Sequence, residues 1–211
     1  MAQDDFIFLR KDVTMEKLFN IIFLGSLSCL FFARLFYGIF HEKNILSNLF
    51  IFLLFPYFPG LSLLGGVAGA GAGFLFLRSR KKDPLPLGRM ADFFSIAFSV
   101  TLPIGFLGYF MFSENGFTIQ RAVSLVAVYF VLFIVFLRFL LPRLLNGKLK
   151  EGNIALLFLI SFSTISLVNN FTAPMLIPEN VILIAMLISS IAFLARQEGW
   201  IGRIKKLLFH V

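Results

Sequence analysis

The chain alternates long apolar runs with short polar breaks. Runs near 18–40, 60–77, 91–112, 122–141, 154–170 and 176–195 each approach the ~20 residues that a helix needs to traverse a ~30 Å hydrocarbon core. A further run, ILSNLFIFLLFPYF at 45–58, is shorter and is broken by Pro56 and Pro59, which suits an interfacial or re-entrant segment. The pattern predicts an all-α integral membrane protein, a single polytopic domain over 1–211. It has about six transmembrane helices and an interfacial or re-entrant segment at 45–58.

Composition agrees with the bilayer and excludes a soluble domain: 59% of the 211 residues are hydrophobic, only 14% are charged, and 30 are Phe. The opening MAQDDFIFLRKDVTMEK carries both signs of charge and no small-residue cleavage site, so a retained first span is expected rather than a removable signal peptide. Of the 19 Lys and Arg residues, all but Arg34, Lys43 and Arg121 fall on one side of the bilayer if 45–58 does not cross. The positive-inside rule makes that side cytoplasmic, with both termini there: an N-terminal segment at 1–17 and an amphipathic tail at 196–211. The net charge of +8 is then a product of topology and anionic lipid, not a sign of a nucleic-acid partner. In the tail, Trp200, Ile201, Ile204, Leu207 and Leu208 interleave with cations, as in a helix lying on a membrane surface.

The segment SLLGGVAGAGAGFLFLRSRKK, from Ser62, raises the question of a phosphate loop. It lacks the Gly-x-Gly-x-x-Gly spacing of a dinucleotide site and the Gly-Lys-Ser/Thr ending of a P-loop. Gly65, Gly69 and Gly73 instead recur every four residues, with Gly66 and Ala70 alongside, so one helical face is nearly bare backbone and a second helix can approach it closely. Arg78 to Lys82 mark the cytoplasmic boundary, and Pro84, Pro86 and Gly88 predict a tight turn before the next helix.

Few polar side chains lie inside the spans. Arg34 sits deep in LSCLFFARLFYGIF, where a lone cation costs about 2.5–3.5 kcal/mol, so it must face protein, water or a lipid phosphate, or snorkel toward the headgroups. Tyr37 shares its helical face. Asp92, at a helix start, suits the dipole there without any catalytic role. Glu114, in FMFSENGF, ends the same helix on the external side, where a carboxylate can orient a headgroup or act as a base, or can simply be solvated. Pro103 and Gly105 predict a kink before it. Glu179 and Asn180 read as an ordinary helix start. Cys29 is the only cysteine and reads as a small buried apolar residue. His41 and His210 lie at membrane edges with no partner at ligand spacing, so neither a metal site nor a cofactor is expected.

Three segments together resemble one family, the prolipoprotein diacylglyceryl transferases of the bacterial inner membrane. GSLSCLFFARLFYGIF resembles that family's Gly-Ala-Arg-Leu-x-Tyr helix, and SLLGGVAGAGAGFLFLRSRKK its His-Gly-Gly-x-x-Gly helix ending in basic residues. RMADFFSIAFSVTLPIGFLGYFMFSEN is similar to its Asp-containing helix leading into a Gly-Arg-x-Gly-Asn-Phe signature. The likeness covers about residues 16 to 195, with one N-terminal span fewer than the family has. It implies diacylglyceryl transfer from phosphatidylglycerol to the lipobox cysteine of a prolipoprotein signal peptide. It also implies a multi-pass inner-membrane location, Glu114 as the retained signature acid, and lipid contacts from Arg34, Tyr37, Gly65, Gly66, Gly69 and Gly108.

The departures fall on the chemistry. Leu64 stands where the family has His, Phe106 where it has the signature Arg, Tyr109 where it has Asn, and Ile165 where a later Arg is expected. Leucine cannot shuttle a proton and phenylalanine cannot neutralise a phosphate, so the resemblance implies a scaffold without its usual base and anion clamp. A non-enzymatic lipid-binding or assembly protein on the same scaffold is the alternative. A small transporter would want paired broken helices or an inverted repeat, and a Ser-His-Asp hydrolase a nucleophile elbow; neither pattern is evident.

Overall fold

The computed structural model describes residues 15–53, 60–79, 87–111, 116–171 and 177–199. These residues are helical with short connections, and no strand occurs among them. In chain order the helices are α1 (Met15–Phe40), α2 (Asn44–Ser47), α3 (Leu49–Leu53), α4 (Leu63–Ser79), α5 (Leu87–Met111) and α6 (Gly116–Val135). A π-helical turn (Phe136–Leu140) then leads into α7 (Leu141–Leu145), followed by α8 (Asn153–Phe171) and α9 (Ile177–Gln197).

Five stretches are long and apolar enough to cross a membrane: Phe19–Phe40, Gly88–Gly108, Gln120–Leu145, Asn153–Asn170 and Pro178–Gln197. The glycine-rich helix is the sixth expected span, and its apolar part, Leu63–Phe76, is shorter than these. It begins later than the apolar run suggests because Ser62 caps it, its hydroxyl accepting the Gly65 N–H at 3.2 Å. Just before, Gly60 has φ +139°, where a Cβ would overlap the Tyr37 ring.

The chain divides into two compact units, residues 1–85 with 167–183, and residues 86–166 with 184–211. In the first, α1 and α4 pack antiparallel along the glycine face. A Cβ at Gly65 would lie 2.7 Å from Phe36 Cβ and 2.9 Å from Ala33 Cα, and one at Gly69 2.6 Å from Phe32 Cβ and 2.7 Å from the Ser28 carbonyl oxygen. Two helices this close gain van der Waals contact along their backbones, which drives association where lipid offers no hydrophobic contrast. Ser28 adds a polar link, its hydroxyl donating to the Gly69 carbonyl at 2.8 Å. The run at 45–58 is described only to Leu53. It forms two helices of four and five residues, separated by extended backbone at Asn48 and held against α1 by Phe52 on Phe31, ring centroids 5.5 Å apart.

In the second unit α5 packs on α6, and an aromatic core joins Phe98, Phe136, Phe158 and Phe162. Pro103 lies within an unbroken α5. The π turn has a cause in Pro142, which has no N–H to donate and whose ring would press on the carbonyl four residues earlier. The preceding turn widens, and the Leu141 N–H donates to the Phe136 carbonyl instead. Outside these contacts large apolar side chains stand exposed, among them Phe19, Phe50, Phe130, Val131 and Phe193. Such a surface suits acyl chains and not water.

Candidate functional site

Polar side chains gather in each unit. In the first, the central residue is Arg34, whose residue exposure is 2%. Its guanidinium neither snorkels nor reaches outward; Nη1 donates to the Gly60 carbonyl at 2.7 Å and Nη2 to the Ile51 carbonyl at 2.9 Å. Ile51 lies in the last turn of α3, so its carbonyl is one that the helix itself cannot satisfy. Arg34 therefore supplies donors to a short helix end and to the approach to α4, two places where exposed backbone would be costly in an apolar medium. Its Nε has no hydrogen-bond partner among the described residues.

Further along α1, the Tyr37 ring stacks on His41 at 5.0 Å and 4°. His41 Nδ1 in turn lies 4.0 Å from Glu179 Oε1 in the first turn of α9. Asn180, next to Glu179 and 7% exposed, accepts from Asn170 Nδ2 at 2.8 Å through Oδ1, while its Nδ2 meets no acceptor among the described residues. His41, Glu179, Asn170 and Asn180 were not legible as a group, since an edge histidine and a helix start carry no local signal of meeting. Chain distance hides the pair of α1 and α9, and only the spacing of ten between Asn170 and Asn180 is short.

The glycines assigned to lipid contact are where α1 packs. Gly65 and Gly69 face its backbone, and Gly66 lies by Cys29 Sγ, 3.4 Å from where its Cβ would be. Helix α1 thus occupies the face expected to shape a lipid groove, and Leu64 is buried beside it. In the second unit, Gly108 is open, with nothing within 4 Å of a Cβ built there. Phe106 stacks on Tyr129 at 5.6 Å and 8°, and the Tyr129 hydroxyl pairs with Ser166. Phe106 is thereby committed to aromatic packing. Glu114 lies outside the described residues.

The second cluster centres on Asp92, which is fully buried. The dipole of its own helix is not its partner: the carboxylate accepts the Gly152 N–H at 2.8 Å and the Ala155 N–H at 2.9 Å, capping the start of α8 from a neighbouring helix. Gly152 has φ +92°, and Gly88 lets α5 approach Glu151, whose backbone would lie 3.0 Å from a Cβ there. Around this contact Arg89 pairs with Glu151 at 3.0 Å, Gln197 Nε2 donates to the Glu151 carbonyl, Lys150 to the Gln197 carbonyl, and Asn153 Nδ2 to Glu198. With both oxygens engaged by backbone amides, the Asp92 carboxylate is held in place as the cap of α8.

Among the described residues no three His, Cys, Asp or Glu side chains gather as a metal site would require. Fold and contacts define an all-helical, multi-pass membrane protein. No family model, curated protein or solved structure matches the chain.

Proposed function

We propose that the protein is a diverged prolipoprotein diacylglyceryl transferase-like membrane protein that holds a phospholipid by its headgroup, phosphatidylglycerol being the lipid the sequence resemblance suggests. The observation that supports this reading is Arg34, a buried cation whose Nε meets no acceptor among the described residues, on the helix face it shares with Tyr37. A phosphate oxygen is the acceptor such a group suits best, as a charge-assisted hydrogen bond. The class reaction transfers the diacylglyceryl group to the thiol of a lipobox signal peptide. The resemblance aligns Leu64 and Phe106 with the family's base and anion clamp, and the burial of the one and the ring stacking of the other favour holding the lipid over turning it over.

The test supplies purified protein with phosphatidylglycerol and a lipobox peptide. Retained phosphatidylglycerol without thioether product is the expected result. Product above a heat-treated control would establish catalysis, with Glu114 as its candidate acid or base, and would remove the lipid-holding reading.

The same reading places the chain in a bacterial inner membrane with both termini cytoplasmic. The contact of His41 with Glu179 supports the topology by parity, since α1 must end on the side where α9 begins. The chain between them then crosses an even number of times. Three of those crossings are α5, α6 with α7, and α8, so one more is needed; the 17 residues of α4 supply it better than the interrupted four- and five-residue helices before it. In a Cys29→Ala background, a cysteine introduced at position 148 is expected to stay unlabelled by an impermeant thiol reagent applied to intact cells. Labelling there would overturn the orientation.

A further inference from the structure

The apolar stretch shared by α6, the π-helical turn and α7 ends at Leu145, and the turn that closes it gathers charge. Gly147 takes φ +67°, its N–H donates to the Leu144 carbonyl at 3.0 Å, and the Lys148 N–H turns back to the Arg143 carbonyl at 2.9 Å. A left-handed glycine closes a helix by this pair of bonds. Arg143, in the last turn, and Lys148, just past it, therefore have backbones one hydrogen bond apart, and both residues are exposed. A third exposed cation, Arg138, lies on the π-helical turn before them.

No acid nearby offsets these charges. Neither Asp nor Glu occurs from Val135 to Lys150, and the acid that follows, Glu151, is paired with Arg89 at 3.0 Å. Lys150 donates to the Gln197 carbonyl, which has no formal charge. Among the described residues the side chains of Arg138, Arg143 and Lys148 have no hydrogen-bond or ion-pair partner.

Like charges held this close repel unless an anion stands between them, and their position says which anion. Arg143 lies inside the apolar stretch and Lys148 just beyond its end, so the pair stands at the level of the headgroups. Phe139 and Leu145, on either side of Arg143 in the chain, are exposed apolar side chains. A soluble anion has nothing to lay against them, whereas a phospholipid has acyl chains. We infer that Arg143 and Lys148 hold the phosphate of an anionic phospholipid, with Arg138 adding attraction from deeper in the stretch. The site selects for charge and is indifferent to the rest of the headgroup, and it does not depend on the reading built on Arg34.

The test reconstitutes the full chain in nanodiscs of phosphatidylcholine with a minor fraction of phosphatidylserine, and counts by native mass spectrometry the lipids retained after release into detergent. Phosphatidylserine is the probe because nothing proposed for Arg34 involves it. Enrichment of phosphatidylserine above its bulk share is expected. Arg143→Gln or Lys148→Gln should lower it about fivefold, the weight of one cation near an anionic surface, and the double variant should lower it further. Lys43→Gln is the control. Lys43 is exposed as well, but Glu42 precedes it, so its loss should leave the enrichment unchanged. All these substitutions fall on exposed side chains and leave the fold in place.

Enrichment that survives the double variant overturns the site. An equal loss in Lys43→Gln also overturns it, because net charge alone would then govern retention. A wild-type protein that keeps phosphatidylserine only in its bulk proportion overturns it too, and leaves the cations to an acidic partner chain. The reading at Arg34 stands or falls separately, on the phosphatidylglycerol assay.

Discussion

Gly65→Ala is expected to destabilise the protein by about 1–3 kcal/mol or more, the range for overpacking a close contact, whereas Gly71→Ala is expected to be neutral or to stabilise it by up to ~1 kcal/mol. Both substitutions add one methyl group to α4, and each exchanges glycine for the best helix former. They differ in what the methyl meets. At Gly65 it would press on the Phe32 carbonyl oxygen and stand 2.9 Å from Ala33 Cα, backbone atoms that can give way only if α1 moves as a whole. At Gly71 nothing lies within 4 Å. Gly69→Ala should follow Gly65→Ala, since it would reach the Ser28 carbonyl oxygen at 2.7 Å.

Thermal unfolding in detergent, compared among these variants, checks the expectation. Equal stability of Gly65→Ala and Gly71→Ala would mean that the glycines are not there for helix contact. The lipid groove once expected on this face would then be the better account of them.

That contrast also marks what a single chain reveals and where it falls silent. The helices were legible because a bilayer imposes one rule on every turn of a span, apolar side chains with backbone groups satisfied internally. The glycine interval of four was legible for a related reason: its meaning is local to one helix, and only the partner's identity, α1, had to come from the structure. Arg34 shows the limit. Its depth in an apolar run predicts that it needs a partner, but a backbone carbonyl leaves no trace in sequence, and Ile51 and Gly60 are residues no pattern would single out.

From the sequence Asp92 belongs with its own helix, because proximity along the chain is all that a sequence shows. The amides it serves belong to residues 152 and 155, brought to it by a close approach at Gly88. Phe106 carries no local signal of its partner, and only the structure shows it stacked on Tyr129. The polar group at His41 and Glu179 was hidden most completely, because each member has an ordinary explanation when considered alone.

Asp92→Leu is expected to cost about 3 kcal/mol or more, the second large effect in the molecule. Hydrogen bonds to a charged group contribute about 1.5–3 kcal/mol each, and two are lost together while their donors stay buried. The leucine side chain is close in size, so the loss would reflect the uncapped start of α8 rather than a cavity. Asp92→Asn should fall between, keeping one acceptor oxygen but turning an NH2 group toward an amide N–H. Glu151→Gln provides the contrast from the same cluster: its bridge to Arg89 is partly exposed, with side chains 28% and 37% accessible, so its removal should cost less than ~1 kcal/mol.

The order leucine, then asparagine, then the Glu151 variant, read as falling loss of unfolding free energy, is the outcome that a capping role requires. If Asp92→Asn were as stable as the wild type yet lost the product in the lipobox-peptide assay, the carboxylate would be handling protons instead. The two amide contacts at 2.8 and 2.9 Å argue against that. Both donors are fixed in the first turn of a helix and the glycine before it, so the carboxylate stands where the start of α8 needs an acceptor, which is the geometry of a cap.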